Sequence, residues 1–216
     1  MSLLYQLQQY IDLRIKEFGI IPTQRRAELM QLAQFVAECL AAARAVDIVF
    51  VCTHNSRRSQ FAQVWARAAS IHYSIDQVRV FSGGTEVTAC DLRTVAALRR
   101  AGMVIEVVDP HVPNPIYRIS MTHAGAGDVC CFSKLVGQPP NPTQGFCAVM
   151  TCSQADEMCP IVAGCEARVT IAYDDPKLSD NTDFESEVYD ERCRQIAREM
   201  LFAFAHVDQI LALKNR

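Results

Sequence analysis

The stretch that decides the fold runs from residue 46 to residue 59 and reads Val46-Asp47-Ile48-Val49-Phe50-Val51-Cys52-Thr53-His54-Asn55-Ser56-Arg57-Arg58-Ser59. Its first six residues are mostly β-branched or aromatic, which is typical of a buried parallel strand. A polar loop begins at Cys52, and helical periodicity resumes at Ser59 and continues to about Ser70. We therefore predict a strand, a short polar loop and a helix that begins directly after the loop.

Strands and helices alternate along the rest of the chain. We predict strands at 78–81, 104–108, 146–151 and 169–173, and helices at 92–101 and 185–213. Such alternation is typical of an α/β protein with right-handed crossovers. The predicted fold is an open parallel sheet of about four strands flanked by helices. The ligand site of such a sheet lies beyond the carboxyl ends of its strands.

Two segments depart from this alternation. Residues 1–45 contain two apolar stripes at helical spacing, which predict an N-terminal helical hairpin extension. We expect the hairpin to pack on the main core, and a homodimer contact through these helices is the alternative. Residues 110–145 are rich in Pro, Gly and Asn and indicate an irregular insertion, or a hairpin around residues 117–121. The predicted organisation is therefore an extension at 1–45 and a main domain at 46–216.

Composition excludes several classes of function. The chain has 216 residues, a net charge of −3 and a pI near 5.9, which gives no footprint for nucleic acid. No run of 18 apolar residues predicts a membrane span, and the first ten residues do not resemble a signal peptide. We expect a cytoplasmic protein whose 10 cysteines are mostly reduced. The sequence has no Cys-x-x-Cys pair, which would have indicated a metal site.

The loop after the first predicted strand favours an oxyanion site. Its backbone N–H groups can point inward, and the helix N-terminus adds positive charge. Arg58 can add two parallel hydrogen bonds, the same field favours the thiolate of Cys52, and Ser59 can donate to that sulfur. Asn55 tolerates a left-handed backbone and can brace the loop. The alternative is an inert buried cysteine with Arg58 in solvent. The predicted oxyanion-binding residues are Thr53, His54, Asn55, Ser56, Arg57, Arg58 and Ser59.

Two further polar clusters follow predicted strands, at Cys152–Cys159 and at Asp174-Asp175-Pro176. A parallel sheet brings both to the same edge as the oxyanion loop. On an intact helix, residues seven apart lie about 10 Å from each other. A disulfide needs Cα atoms roughly 4.4–6.8 Å apart. Cys152 and Cys159 can therefore pair only if the segment between them unwinds or loops.

Residues from about 46 to 205 resemble the low-molecular-weight protein tyrosine phosphatase superfamily, and within it the thioredoxin-coupled arsenate reductases. The resemblance rests on the loop Cys52–Ser59, on Phe81–Glu86 and on Asp175 before Pro176. Two positions depart from the pattern. His54 occupies a place that is often Gly, and Arg57 stands where many members have a second cysteine. We expect Arg57 to add positive charge at the mouth of the site.

The resemblance implies a reaction and roles for named residues. Cys52 would be the nucleophile, Arg58 an anion ligand and Asp175 the general acid. Cys152 and Cys159 would form a redox-active disulfide relay that thioredoxin reduces. The implied reaction is the reduction of arsenate to arsenite, without a metal or an organic cofactor.

Two other functions stay open. The first is hydrolysis of phosphotyrosine or other aryl phosphate monoesters through a thiophosphate on Cys52. Lys177, Leu178 and Ser179 stand where the tyrosine phosphatases usually carry aromatic residues, which weighs against phosphotyrosine, although Tyr117 or Phe132 could supply an aromatic wall. The second is an inactive regulatory module that binds an oxyanion or a partner protein.

Overall fold

The computed structural model describes residues 2–125, 127–153, 155 and 161–214. In this part of the chain the helices are α1 (Tyr5–Ile15), α2 (Thr23–Ala41), α3 (Arg58–His72), α4 (Leu92–Arg100), α5 (Glu185–Ala205) and α6 (Val207–Lys214). The strands are β1 (Val46–Cys52), β2 (Val78–Gly84), β3 (Val104–Val107), β4 (Tyr117–Ser120), β5 (Val129–Cys131), β6 (Phe146–Met150) and β7 (Cys165–Thr170). Short 3-10 helices lie at Phe18–Ile20 and Pro176–Ser179.

The main sheet has four parallel strands in the order β2-β1-β6-β7. Every residue of β1 and β6 is buried, as expected for strands covered on both faces. Cys52 lies opposite Gly84, and Val51 lies opposite Met150. The carboxyl ends of β1, β6 and β7 therefore meet at one edge, each followed by a cluster singled out in the sequence. The predicted α/β fold with a parallel sheet is confirmed.

The predicted strand at 104–108 does not belong to the main sheet, so its placement there was wrong. Val104–Val107 pairs antiparallel with β4, and β4 pairs antiparallel with β5. Only Ile105 of β3 is buried, and Val104 is 54% exposed. An apolar run of this composition also suits a half-exposed strand. The 110–145 segment thus contributes two strands to a second, three-stranded sheet.

Two other boundaries differ from prediction. The helix predicted at 185–213 is divided at His206, whose backbone N–H bonds to Ala203 O, three residues back, and whose Nδ1 lies 2.7 Å from Phe202 O. The last strand of the main sheet spans Cys165–Thr170, a few residues earlier than predicted.

The N-terminal helices pack on the core of the main sheet, as expected. Leu7 and Ile11 of α1 and Leu29 and Leu32 of α2 are fully buried in the cluster that also contains residues of β1 and α3. The helix α1 contacts α5, and α2 contacts both α5 and α6. A boundary at residue 45 and a dimer contact both stay predictions. Within the described residues, no helix is both long and apolar enough to span a membrane.

Candidate active site

Cys52 ends the central strand and begins the loop that leads into α3. Its Sγ lies 3.1 Å from Ser59 Oγ, and Asn55 Nδ2 donates a 2.8 Å hydrogen bond to the same oxygen. Because Ser59 Oγ accepts from Asn55, the hydroxyl hydrogen of Ser59 is free to donate to the sulfur. Cys52 is 3% exposed and Ser59 is fully buried. The two supporting residues named from the sequence thus meet at the candidate nucleophile.

Asn55 holds the shape of this loop. Its φ is +47°, in the left-handed region that Asn tolerates better than most residues. Its Oδ1 accepts a 3.0 Å hydrogen bond from Lys134 N, and its carbonyl oxygen accepts from Gln60 Nε2 at 2.8 Å. The loop is therefore anchored to α3 on one side and to the segment after β5 on the other.

The end of β2 approaches the same loop closely. Thr53 O accepts hydrogen bonds of 2.9 Å from Thr85 N and Glu86 N. A Cβ atom on Gly84 would lie 2.7 Å from Thr53 O and 2.9 Å from Asn55 N, closer than packed atoms allow. Glycine at this position lets the two backbones touch, which gives a physical reason for the Gly83-Gly84-Thr85-Glu86 segment noted in the sequence.

Arg58 and Asp175 face each other across the site. Arg58 NH2 donates a 2.7 Å hydrogen bond to Asp175 Oδ2, and its NH1 donates to Tyr173 O at 3.1 Å. Asp175 Oδ1 accepts from Lys177 N at 3.1 Å. A narrow recess lies beside this pair, with no free space for a water-sized sphere, and it is lined by Cys52, His54, Ser56, Arg57, Arg58 and Asp175. An oxyanion in the recess would have to share the guanidinium of Arg58 with Asp175.

The contacts of Arg57 differ from the sequence-based expectation that it adds positive charge at the mouth of the site. Its Nε donates to Tyr189 OH at 2.6 Å, and its NH2 donates to Asp91 Oδ2 at 2.7 Å and Asp180 Oδ2 at 3.0 Å. Burial disfavours the guanidinium charge, but the bond to Tyr189 and the charges of Asp91 and Asp180 outweigh burial and raise the pKa of Arg57. Two carboxylates offset its charge, so these contacts do not favour Arg57 as a source of net positive charge at the mouth.

Cys152 lies at the same edge, directly after β6. It is fully buried, and its Sγ is 3.6 Å from Thr53 Oγ1 and accepts from Ala155 N at 3.3 Å. Cys52 and Cys152 belong to one cluster of buried apolar residues. Cys159 lies outside the described residues. None of the cysteines that the structure describes is in a disulfide.

A larger cavity of about 400 Å³ adjoins the recess. It shares His54, Ser56 and Arg57 with the recess and extends to Asp91, Arg93 and Lys177. No Phe, Tyr or Trp side chain is among its lining residues in the described part of the chain. The two aromatic candidates lie elsewhere: Tyr117 is buried beside a separate apolar cavity, and the ring of Phe132 lies 4.3 Å from Lys134 Nζ.

Several residues of the site have no signal in the sequence. Tyr189 and Asp180 reach Arg57 from positions 132 and 123 residues away. Lys134 is 4% exposed behind the loop, and burial lowers its pKa to about 8. Asp91 had one available signal, since it precedes a predicted helix and accepts from Arg93 N as its N-cap. Among the described residues, no group of three or more His, Cys, Asp or Glu is arranged to hold a metal.

Comparisons with known proteins found phosphatases and arsenate reductases. The family model "Low molecular weight phosphotyrosine protein phosphatase" matches residues 47–125. An arsenate reductase of Bacillus licheniformis is 26% identical over 162 residues, which cover 75% of this chain and 96% of that protein. The solved structure of a low-molecular-weight phosphotyrosine phosphatase from Vibrio cholerae O395 covers 76% of this chain and 97% of its own, with 18% identity and a TM-score of 0.45. A thioredoxin-dependent arsenate reductase from Corynebacterium glutamicum covers 96% and 97%, with 15% identity and a TM-score of 0.39.

Residues 47–125 therefore resemble the low-molecular-weight phosphotyrosine protein phosphatases. Over a longer stretch, the chain is similar to arsenate reductases.

Proposed function

We propose that the protein reduces arsenate to arsenite through a covalent adduct on Cys52 and a Cys152/Cys159 disulfide relay that thioredoxin reduces. The position of Cys152 carries this proposal. Its sulfur lies 3.6 Å from the hydroxyl of Thr53, the residue next to Cys52, and both cysteines belong to one buried cluster. The hydrolysis of a phosphate monoester by water does not require a second thiol at that position.

The first step forms the adduct. The Cys52 thiolate attacks arsenic, an As–O bond breaks, and Asp175 in its protonated form gives its proton to the oxygen, which leaves as water. Arg58 and the N–H groups of the loop hold the remaining oxygens. The 2.7 Å contact between Arg58 and Asp175 supports this assignment, because it brings the anion ligand and the acid to the same recess.

The second step is a redox step. The Cys152 thiolate attacks Sγ of Cys52, and the electron pair of the As–S bond passes to arsenic, which changes from As(V) to As(III) and leaves as arsenite. The two sulfurs are oxidised to a Cys52–Cys152 disulfide. Cys159 then attacks Cys152 and releases Cys52 as a thiolate. The dithiol of thioredoxin reduces the remaining disulfide.

Arsenate-dependent NADPH consumption with thioredoxin and thioredoxin reductase tests this proposal. We expect turnover in the wild type and none in Cys52→Ser or Cys152→Ser. Cys147→Ser is the matched control, since Cys147 is equally buried on the strand that precedes Cys152. Undiminished turnover in Cys152→Ser, or no turnover in the wild type, would rule the relay out.

Phosphate monoester hydrolysis is the second candidate, and it is supported by the family model and by the set Cys52, Arg58 and Asp175. The chain is an enzyme of one of these two kinds. The adjoining cavity has no Phe, Tyr or Trp side chain among its described lining residues, which weighs against phosphotyrosine as the substrate. Hydrolysis of p-nitrophenyl phosphate that is lost in Cys52→Ser but kept in Cys152→Ser, without arsenate turnover, would favour the phosphatase.

A further inference from the structure

Two consecutive arginines hold the two ends of one loop. We call residues 174–181, between β7 and α5, the acid loop, because they contain Asp175. Arg58 bonds to Asp175 near its start at 2.7 Å, and Arg57 bonds to Asp180 near its end at 3.0 Å. The 3-10 helix Pro176–Ser179 lies between these two contacts. Both arginines therefore bond to the loop, and Arg93 also contacts its end at Asp180 and Asn181.

The two contacts, which we call ties, are Arg58–Asp175 and Arg57–Asp180. The proposed reaction affects them differently. An oxyanion at Cys52 needs the guanidinium of Arg58, so the bond from Arg58 to Asp175 is weakened or shared when substrate binds. The guanidinium of Arg57 already bonds to Asp91, Asp180 and Tyr189. An incoming anion gains little by breaking those bonds. The tie at Asp180 can therefore persist while the tie at Asp175 is given up.

The contacts around Arg57 fix it to rigid elements. Asp91 is the N-cap of α4, and Tyr189 is a fully buried residue of α5. Burial raises the pKa of Tyr189, so its hydroxyl stays protonated and can donate to Asp180 Oδ1 at 2.7 Å while it accepts from Arg57. Arg57 itself is only 9% exposed, so salt screens these contacts less than it screens surface pairs. Both oxygens of Asp180 are thus bonded to groups that do not belong to the loop.

We propose that Arg57, through Asp180 and with Tyr189, is a positioning residue that keeps Asp175 in place to donate its proton once Arg58 has turned to the substrate. This role rests on the proposed function, in either its reductase or its phosphatase form. It also gives a role to Arg57, which stands at a position where the related phosphatases often have cysteine.

Leaving-group dependence separates this role from oxyanion binding. General acid catalysis contributes roughly 100- to 10,000-fold, and it matters most when the leaving group is poor. In Arg57→Met and Tyr189→Phe we expect kcat/KM for phenyl phosphate, which includes the departure of the leaving group, to fall about 10- to 100-fold. For p-nitrophenyl phosphate, whose leaving group needs little protonation, we expect a fall of about threefold or less. The inhibition constant of inorganic phosphate should change by about twofold or less, because Arg58 and the loop N–H groups remain.

Other patterns would overturn the proposal. Equal losses with both esters mean that Arg57 does not act through the acid. A large rise in the inhibition constant of phosphate with an unchanged leaving-group dependence means that Arg57 is an anion ligand. Tyr189→Phe removes a single hydroxyl, so it keeps the test valid if Arg57→Met does not fold.

Amide hydrogen exchange tests the contact between Arg57 and Asp180 independently of any catalytic activity. If the wild type neither hydrolyses aryl phosphates nor reduces arsenate, the proposed function fails, and the tie can still be tested. We expect faster amide exchange across residues 174–181 in Arg57→Met than in the wild type. Arg44→Met is the matched control, since Arg44 pairs with Glu166 on the surface, away from the loop. Unchanged exchange in Arg57→Met would overturn the tie.

Discussion

The side-chain amide of Asn55 donates to the hydroxyl oxygen of Ser59 over 2.8 Å, and this bond leaves the serine hydrogen free to donate elsewhere. With its oxygen already accepting, Ser59 can offer its hydrogen to Cys52 Sγ at 3.1 Å. Asn55 makes this bond from a left-handed backbone conformation, at φ +47°. The bond lies directly beside the candidate nucleophile, Cys52.

Replacement of Ser59 by Ala should slow alkylation of Cys52. The variant loses the hydroxyl donor to the sulfur, and a hydrogen bond to a charged group is worth about 1.5–3 kcal/mol. We expect the rate of modification by iodoacetamide at mildly acidic pH, followed on the Cys52 peptide by mass spectrometry, to fall about 10- to 100-fold. Ser70→Ala is the control, because Ser70 is equally buried in α3 and its hydroxyl bonds to Arg67 of the same helix. Equal rates for Ser59→Ala and the wild type would refute the donor role.

Gly84→Ala should damage both the stability of the protein and its affinity for anions. The new Cβ would meet Thr53 O and Asn55 N at distances that only backbone movement can relieve. We expect a loss of about 1–3 kcal/mol in the free energy of unfolding, together with weaker inhibition by phosphate. Gly137→Ala is a suitable comparison, since a Cβ there meets nothing within 4 Å. The explanation fails if the two alanine variants behave alike.

Lys134→Met should stabilise the protein at neutral pH. Burial lowers the pKa of Lys134 from 10.5 to about 8, so folding is penalised at every pH at which the lysine of the unfolded chain is charged. The penalty is full below about 8, shrinks as the pH rises to 10.5 and is absent above that, where both states are neutral. We expect the variant to gain up to about 3 kcal/mol at neutral pH, from ~1.4 kcal/mol per pH unit. Chemical unfolding at several pH values measures the gain, and a gain that stays constant up to pH 10.5 would contradict burial of the lysine charge as its cause.

Ile11→Ala should destabilise the whole protein rather than only its N-terminal helix. Ile11 is fully buried in the main core, and truncation of such a residue costs about 2–5 kcal/mol. Leu13→Ala, at a position that is 52% exposed on the same helix, should cost about 0.5 kcal/mol or less. Unfolding followed by the fluorescence of Trp65, which stacks on Tyr10 at 5.3 Å, reports on both regions at once. A separate early transition in Ile11→Ala would mean that residues 1–45 fold on their own.

Much of the fold was predictable because the central strands have a simple sequence signal. The apolar run from Val46 to Val51 is bounded by a polar loop, and strands of this kind are buried in parallel sheets. Parallel pairing then places the residues that follow each strand at one edge. For that reason the proximity of Cys52, Arg58 and Asp175 followed from the order of the elements, before any contact was known.

The wrong predictions concern residues whose structure is determined by contacts with residues far away in the sequence. The run from Val104 to Val107 resembles a core strand, yet its partner is β4, whose residues lie in a segment rich in Pro and Gly. Arg57 sits next to Arg58, and nothing in the local sequence separates a residue that binds Asp91 and Asp180 from one that binds an anion. The burial of Lys134 has no periodic signal either, because the segment around it is irregular.

The order in which the chain is made bears on when the site can exist. The strand with Cys52 is synthesised early, but the thiol of Cys152, the carboxylate of Asp175 and the hydroxyl of Tyr189 reach the loop from residues 99, 117 and 132 positions further along. Contacts of such long range form only after the intervening chain is available. A growing chain on the ribosome therefore carries Cys52 for most of translation without the complete candidate site, which can form only when α5 has emerged.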